Sequence, residues 1–331
     1  MEEDKKDRKN RKDKKEKKNK EDKENKGNNK NKENIIKTGK MKILVTGARG
    51  MLGSAVMSYA LTDSGVSAVG ADIDDFDICD ASAAAGFIDK LMPDAVIHCA
   101  AFTNVDAAES DSEKAFRVNA MAVRDLAAIC AARGIKLAVI STDYVFDGSK
   151  ESPYGEYDLP SPINVYGMSK YYAERYCGHI CSKSFIVRTS WLFGANGGNF
   201  VGAILKKAAA EGELSVVNDQ FGSPTYTKDL AAFLIELVKT EKYGIYHATN
   251  DGYCNWHDFA REILNISGLS SVKLYSVSTE NFKRPAARPK NSRLLKTALY
   301  CSGFKKLRTW QDALADYINE IGLVPGYNNK Q

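Results

Sequence analysis

The sequence predicts an α/β protein with a doubly wound parallel sheet and a smaller second lobe. From Lys42 to about Trp191, short apolar runs alternate with helical segments. Strands separated by helices cross over with a right hand and pair in parallel, so that helices cover both faces of the sheet. After Trp191 the alternation loosens. We therefore expect a sheet domain over 41–190 and a mainly substrate-binding α+β lobe over 191–325, some segments of which return to the sheet domain.

The individual elements follow from apolar runs and their periodicity. Strands are predicted at the short buried runs 43–45, 66–70, 95–97, 136–141 and 185–187. Helices are predicted from the glycine-rich turn to about Leu61, over 111–133 and over 164–178. In the second lobe the patterns predict helices over 200–211, 228–240, 256–267 and 309–321, with short strands over 214–217 and 244–247.

Residues 1–40 are predicted to be a disordered charged tail, because they contain too few apolar residues to offset the entropy of ordering. This tail holds 17 of the 47 basic and 10 of the 42 acidic residues, so it carries +7 and the remaining chain carries −2. The near-neutral folded part is therefore not expected to bind nucleic acid. Met41 directly precedes a buried-strand pattern, and we expect it to be the first residue of the ancestral protein, to which the tail was a later extension.

Composition also excludes several classes of protein. The sequence has no run of about 18 apolar residues and no apolar stretch near its start, so we expect neither a transmembrane helix nor a signal peptide. The seven cysteines form no CxxC pair and no Cys/His cluster at zinc spacing, which predicts reduced thiols, no metal site and a cytoplasmic location.

A glycine-rich turn predicts a dinucleotide site. Gly47, Gly50 and Gly53 follow the first strand and open a helix, the context in which such glycines allow a backbone turn to approach a pyrophosphate. Asp72 ends the second strand, where a carboxylate accepts hydrogen bonds from a ribose. That carboxylate repels a 2′-phosphate, whereas Arg49 offsets the repulsion, so both NADH and NADPH are expected cofactors. This arrangement identifies the sheet domain as a Rossmann fold.

Two further segments are expected to face the same cofactor. Asp77 and Ile78 lie in a loop where the adenine edge can be read. The small residues of the segment 99–103 end the third strand and let the backbone lie against the cofactor.

Tyr166 and Lys170 predict an acid–base site. They stand four apart in a predicted helix and therefore share a face. A nearby ammonium favours the phenolate, so we expect the Lys170 side chain to lower the pKa of Tyr166 and allow proton exchange near pH 7. Thr142 ends the preceding strand, and its hydroxyl is expected to bind a substrate carbonyl, while Ser141 faces the packing side.

These motifs together resemble the extended short-chain dehydrogenase/reductases. Longer strings resemble one family among them, the dTDP-4-dehydrorhamnose reductases, from Met41 to about Gly322. They are AAFTNVD at 100–106, STDYVFDG at 141–148, SPINVYG at 161–167, RTSW at 188–191, NDQFGSPT at 218–225 and RPKNSRL at 288–294.

The resemblance implies a role for each matching residue. Tyr166 would donate a proton, Lys170 would tune it and hold the nicotinamide ribose, and Thr142 would polarise the C4 ketone of a dTDP-sugar. It implies that the cofactor is lined by Gly47, Gly50, Met51, Leu52, Gly53, Asp72, Asp77, Ile78, Ala101, Phe102 and Thr103. It implies that the substrate is contacted by Thr142, Asp143 and Trp191, and near its diphosphate by Arg288, Asn291 and Arg293.

The activity so implied is NAD(P)H-dependent reduction of dTDP-4-dehydrorhamnose to dTDP-L-rhamnose, for rhamnose-containing surface polysaccharide. Asp143 is followed by Tyr144, not by the glutamate that related dehydratases carry, which disfavours dehydration. The stretch after the glycine turn lacks the glutamate through which some relatives bind a metal at a dimer contact, so a metal is not expected. A monomer and a homodimer both remain open.

Three alternatives remain beside this reading. One is reduction of another 4-keto-6-deoxy nucleotide sugar, and one is epimerisation of such a sugar. The third is a non-catalytic regulatory subunit of the same fold, resembling that of methionine adenosyltransferase. The intact Thr142, Tyr166 and Lys170 argue against the third, because a binding module needs none of them.

Overall fold

A computed structural model describes residues 39–322 of the chain. The predicted disorder of the charged tail concerns residues that lie almost entirely outside this range. Within the range, no helix is long and apolar enough to cross a membrane.

The strands include every run that the sequence predicts and several short ones that it does not. In chain order they are β1 (Met41–Thr46), β2 (Val66–Ala71), β3 (Ala95–His98), β4 (Lys136–Thr142), β5 (Ser184–Thr189), β6 (Leu192–Phe193), β7 (Glu213–Val217), β8 (Phe221–Gly222), β9 (Thr225–Tyr226), β10 (Gly244–His247), β11 (Cys254–Asn255) and β12 (Lys273–Val277).

Six strands form one parallel sheet in the order β10-β5-β4-β3-β1-β2. Their side chains are apolar on both faces, as expected for a sheet covered by helices on each side. The chain runs outward from β1 to β2 and then returns to place β3 on the other side of β1. The carboxyl ends of β1 and β3 therefore flank a crevice, the usual ligand site of such sheets.

The helices are α1 (Met51–Thr62), α2 (Ala81–Leu91), α3 (Val105–Ser110), α4 (Ser112–Phe116), α5 (Ala122–Arg133), α6 (Val165–Ile180), α7 (Phe200–Glu211), α8 (Thr227–Val238), α9 (Trp256–Ile266), α10 (Thr297–Cys301) and α11 (Trp310–Glu320). Helices α2, α3 and α10 were not foreseen. Helices α2 and α3 begin after a capping side chain, Asp80 and Asn104 respectively, whose oxygen accepts hydrogen bonds from N–H groups of the first turn.

The single helix predicted over 111–133 is interrupted by a π-helical turn over Arg117–Met121. The wider turn directs the buried side chain of Asn119 toward the sheet. There it accepts a hydrogen bond from the Phe102 N–H at 2.8 Å and donates to the Phe102 carbonyl at 3.0 Å and the Ser169 hydroxyl at 2.9 Å. Such turns are common at functional sites.

Apolar side chains form separate clusters on the two sheet faces and in the second lobe. One face packs against α1 and α8, and the other against α2, α5 and α6. The second lobe has its own aromatic core, which includes Phe193, Tyr226, Phe259, Trp310 and Tyr317.

The chain crosses between these clusters more than once. Helix α8 packs on the sheet beside α1, β10 pairs with β5, and Leu299 and Phe304 join the same cluster. We therefore propose that the sheet domain comprises residues 41–190 together with the segments around 227–248 and 297–304, and that the rest of 191–322 forms the substrate lobe.

Candidate active site

A cavity of about 670 Å³ opens at the carboxyl ends of β1, β3 and β4, beside the crevice between β1 and β3. Most residues that the sequence singled out line it: Gly47, Gly50, Met51, Leu52, Gly53, Asp72, Asp77, Ile78, Ala101, Thr103, Thr142, Asp143, Tyr166, Lys170 and Trp191. Phe102, Arg288, Asn291 and Arg293 do not.

Cys99 and Ala100, from the segment 99–103 that was expected to face the cofactor, line the cavity as well. Other lining residues were not singled out. They are Thr46, Ala71, Ile73, Phe76, Val118, Ile140, Ser141, Thr189, Ser190, Leu192 and Gly198. Most lie at strand ends next to predicted site residues. Selecting every residue at the carboxyl end of a predicted strand would therefore have found them. Val118 and Gly198 come from the π-helical turn and a distant loop, for which the sequence carries no such signal.

The glycine turn forms a backbone cradle. Gly47 has φ +67°, and a Cβ on it would lie 2.6 Å from the Ala100 nitrogen. A Cβ on Gly53 would lie 2.1 Å from the Gly47 carbonyl oxygen. The N-terminus of α1 follows Gly50, with no capping side chain and no acidic residue in its first turn. A cradle that only glycines allow, with an uncapped helix N-terminus, fits the pyrophosphate of a dinucleotide.

Asp72 and Arg49 stand at the far end of this cradle. The Asp72 carboxylate accepts hydrogen bonds from the Arg49 N–H at 3.0 Å and the Ile73 N–H at 2.9 Å. Burial opposes these bonds, but the net effect lowers the pKa of Asp72. The exposed Arg49 guanidinium donates to Asp74 at 2.6 Å and lies 3.8 Å from Asp72. A carboxylate for ribose hydroxyls and a cation for a 2′-phosphate thus lie side by side.

Phe102 lies between two lining residues but does not line the cavity itself. Its N–H and carbonyl are held by Asn119, and its ring lies 5.7 Å from the Lys114 ammonium. Ala101 and Thr103 face the cavity instead. The cofactor contact of Phe102 stays a prediction.

Helix α6 starts in close contact with the end of β4. Asn164 caps it by accepting a hydrogen bond from the Gly167 N–H at 2.7 Å, and a Cβ on Gly167 would lie 2.1 Å from the Tyr144 carbonyl oxygen. This contact places the side chain of Tyr166 near the Thr142 hydroxyl, and both residues line the cavity. Lys170 follows one turn later and lines the same cavity.

The electrostatics of Tyr166 differ from the prediction. Burial raises the pKa of Tyr166 to about 12, the charge of Asp143 adds to the rise, and the hydrogen bond with Thr142 opposes it. The predicted lowering by Lys170 was wrong, because desolvation of the phenolate dominates. Burial also lowers the pKa of Lys170 to about 8, although the charge of Glu174 raises it. At neutral pH the site therefore holds a protonated phenol beside a mostly protonated amine.

Asp143 carries an unusual buried carboxyl group. Its side chain is 3% exposed, its Oδ1 accepts a hydrogen bond from Thr142 at 3.0 Å, and its Oδ2 has no hydrogen-bond partner among the described residues. Burial raises the pKa of Asp143 to about 7, and the nearby hydroxyls of Ser292 and Thr142 oppose the rise. Because this carboxyl lines the cavity, its free oxygen is available to a ligand.

A buried ion pair that the sequence analysis missed supports the catalytic helix. Glu174, one turn beyond Lys170, accepts two hydrogen bonds from Arg188 at 2.8 and 2.7 Å, and both side chains are almost fully buried. The Ser141 hydroxyl donates to the same carboxylate at 2.5 Å, so it turns toward the packing side as predicted. The signal was an arginine inside an apolar strand, which requires a buried partner.

The three candidate diphosphate residues are engaged with protein groups. Arg288 forms two hydrogen bonds with Asp106, at 2.6 and 2.9 Å. Asn291 donates to the Lys150 carbonyl at 2.6 Å and accepts from Arg293 Nε at 2.7 Å. These contacts tie the segment 288–293 to neighbouring loops, and its role toward a diphosphate stays a prediction.

Comparison with known proteins gives consistent matches over the folded chain. The model of a family described as RmlD substrate binding domain matches residues 41–323. A spore coat polysaccharide biosynthesis protein, SpsK, of Bacillus subtilis is 39% identical over 279 residues, which cover 84% of this chain and 97% of that protein. A dTDP-4-dehydrorhamnose reductase of Aggregatibacter actinomycetemcomitans is 36% identical, with 82% and 97% covered.

A solved structure is also closely similar. The crystal structure of dTDP-4-dehydrorhamnose reductase from Bacillus anthracis in complex with NADP superposes with a TM-score of 0.82 at 38% identity. The match covers 85% of this chain and 99% of that one.

Proposed function

The chain belongs to the dTDP-4-dehydrorhamnose reductase family, and on that premise we propose that it reduces the C4 ketone of dTDP-4-dehydrorhamnose to give dTDP-L-rhamnose, with NADPH or NADH as cofactor. The observation that carries the proposal is the convergence of Thr142, Tyr166 and Lys170 in the cavity that also contains the glycine cradle. A pure binding protein has no need of this convergence.

The cradle and Asp72 would hold the dinucleotide, and Lys170 would hold its nicotinamide ribose. A nicotinamide bound there would supply the hydride that C4 of the sugar receives. The Tyr166 hydroxyl donates a hydrogen bond to the C4 carbonyl oxygen. The Thr142 hydroxyl, which donates to Asp143 in the free site, turns its single proton to the same carbonyl oxygen when the substrate binds. As negative charge develops on that oxygen, the phenol transfers its proton and the product hydroxyl forms. The raised pKa of Tyr166 keeps the phenol protonated until that moment.

The substituents on the two carbon atoms beside the ketone distinguish the substrate class. In a 4-keto-6-deoxy sugar, the carbon on one side of C4 carries a hydroxyl and the carbon on the other carries a methyl group. Among the described lining residues, Asp143 offers a buried carboxyl oxygen without a hydrogen-bond partner, and the indole of Trp191 offers a large apolar surface in the same cavity. We assign the hydroxyl to Asp143 and the methyl group to Trp191.

The test is oxidation of NADPH and NADH with freshly prepared dTDP-4-dehydro-L-rhamnose. We expect turnover in the wild type and at least about a hundredfold loss in Tyr166→Phe, because general acid catalysis contributes that much. Tyr59→Phe, a half-exposed tyrosine on α1, is the matched control and should be unaffected. Bound cofactor without oxidation would overturn the proposal and favour the regulatory subunit. Turnover with another 4-keto-6-deoxy nucleotide sugar, and none with dTDP-4-dehydrorhamnose, would show that the other sugar is the substrate.

A further inference from the structure

Trp191 has a backbone conformation that its surroundings must maintain. Its φ is +48°, in the left-handed region, which is unfavourable for a bulky residue. Strained residues of this kind persist where neighbours over-determine them, and they concentrate at functional sites. The residue lies two positions after the end of β5 and lines the cavity. The neighbours that hold it are therefore part of how the cavity is built.

One of these neighbours is Trp256 at the start of α9. The two indoles are stacked, with centroids 3.5 Å apart and planes at 9°. Trp256 is itself packed against Phe200 at 4.5 Å and Phe259 at 6.3 Å, within the aromatic core of the second lobe. One face of the Trp191 ring is thus covered by a second indole that is fixed from behind.

The other neighbour is Gly222 in β8. A Cβ on Gly222 would lie 2.5 Å from Cε2 and 2.7 Å from Nε1 and Cζ2 of Trp191. The indole face around Cε2 therefore lies against this glycine, in space that the side chain of any larger residue would occupy. The ring is thus held between Trp256 on one face and Gly222 on the other, and it lines the cavity from that position.

We propose that Trp256 and Gly222 are positioning residues of the sugar subsite, which hold the Trp191 indole as an apolar wall for the methyl group of a 6-deoxyhexosyl nucleotide. Neither residue lines the cavity, so both act through Trp191. The proposal rests on the proposed function, in which Trp191 faces the sugar. It extends that function by assigning substrate selection to a contact within the substrate lobe.

Calorimetry on the full chain measures how much the sugar contributes to binding. We define the affinity increment as the ratio of the Kd of dTDP to the Kd of dTDP-L-rhamnose. We expect Trp256→Ala to lower the increment about tenfold, because an aromatic pair contributes about 1.5 kcal/mol at most and 1.4 kcal/mol is tenfold. Trp256→Phe, which can still stack, should keep most of it. The Kd of dTDP alone and that of NADPH should not change.

The same ratio tests the glycine. Gly222→Ala should abolish the increment, because the added methyl group must displace the indole. Gly86→Ala is the matched control, since a Cβ there meets nothing within 4 Å. The increment should be unchanged in this control.

The stack has a spectroscopic signature that does not depend on ligand or activity. Two stacked indoles give an exciton couplet in circular dichroism. The chain has three tryptophans, so the couplet should disappear in Trp256→Phe and in Trp191→Phe but persist in Trp310→Phe. Trp310 lies in the same aromatic core, 5.6 Å from Phe259, and controls for disturbance of that core.

The outcomes separate this proposal from the proposed function. An unchanged increment in folded Trp256→Ala and Gly222→Ala overturns the positioning role, and a wild type without a couplet overturns the stack. A wild type that binds dTDP-L-rhamnose no better than dTDP overturns the sugar assignment of the proposed function. In that case the couplet and its loss in Trp256→Phe still decide whether Trp256 positions Trp191.

Discussion

The ion pair between Glu174 and Arg188 allows a quantitative test of how the catalytic helix is held. Arg188 is 2% exposed and donates two hydrogen bonds to Glu174, which also accepts one from Ser141. In Glu174→Gln the guanidinium remains buried but loses its counter-charge. The other groups in contact with Arg188 are the Phe146 ring at 5.1 Å, His247 Nε2 at 3.3 Å and the backbone carbonyl of Glu156, which accepts a hydrogen bond at 3.4 Å. None of these three groups carries a negative charge.

Removing one partner of a buried ion pair costs about 3–5 kcal/mol. We expect about 3 kcal/mol, because glutamine keeps one acceptor oxygen for Arg188. Replacing Arg188 by methionine in the same chain removes the uncompensated charge. The double variant should therefore be less destabilised than the sum of the two single variants, by about 0.5–3 kcal/mol.

The assay is equilibrium unfolding in urea. A loss of about 3 kcal/mol lowers the midpoint by about 1 M when the slope is about 3 kcal/mol/M. The control is Glu211→Gln, which breaks the half-exposed pair of Lys207 and Glu211, separated by 3.5 Å. That variant should lose at most about 0.5 kcal/mol. If Glu174→Gln is no less stable than Glu211→Gln, the view of this pair as a support of the catalytic helix is refuted.

Three further predictions concern the cofactor and the amine. Gly53→Ala should raise the Kd of NADPH at least about tenfold, because its Cβ would meet the Gly47 carbonyl at 2.1 Å, and an unchanged Kd in fluorescence titration would contradict the cradle. Arg49→Ala should weaken NADPH binding by about tenfold while leaving NADH binding nearly unchanged, and equal losses would show that Arg49 does not read the 2′-phosphate. The pKa of Lys170 is lowered to about 8, so its ammonium form is lost as the pH rises through that value. The kcat/KM for reduction should therefore fall above about pH 8, and a profile that stays flat through that pH would exclude a role for the charge.

The sequence was sufficient where a local pattern determines the structure. Helix α7 and strand β10 have the predicted bounds, because apolar periodicity and strong caps act within a few residues. The pairing partner of β10 could not be read in the same way. Parallel pairing with β5 depends on how α8 packs on the sheet, which is a tertiary contact. The π-helical turn likewise follows from the contacts of Asn119 and not from its neighbours in sequence.

For the site, spacing and motif placed the glycine cradle, Thr142, Tyr166 and Lys170 in one cavity, and their roles remain our proposal. Spacing could not report burial, and so it gave the wrong direction for the pKa of Tyr166.

A resemblance in motifs also cannot show that a candidate binding residue is already paired with another side chain of the same protein. The Arg288 guanidinium donates a hydrogen bond to Asp106, which lies far away in the sequence.

The late arrival of β10 has a consequence for synthesis of the chain. Until residues 244–247 emerge from the ribosome, β5 lacks its outer neighbour, and every residue of β5 is buried in the finished protein. An unpaired strand of this kind is a template for association with other chains. A fragment that stops near residue 190 would keep that open edge permanently. We therefore expect a sheet domain expressed only up to the first lobe boundary to associate with other chains.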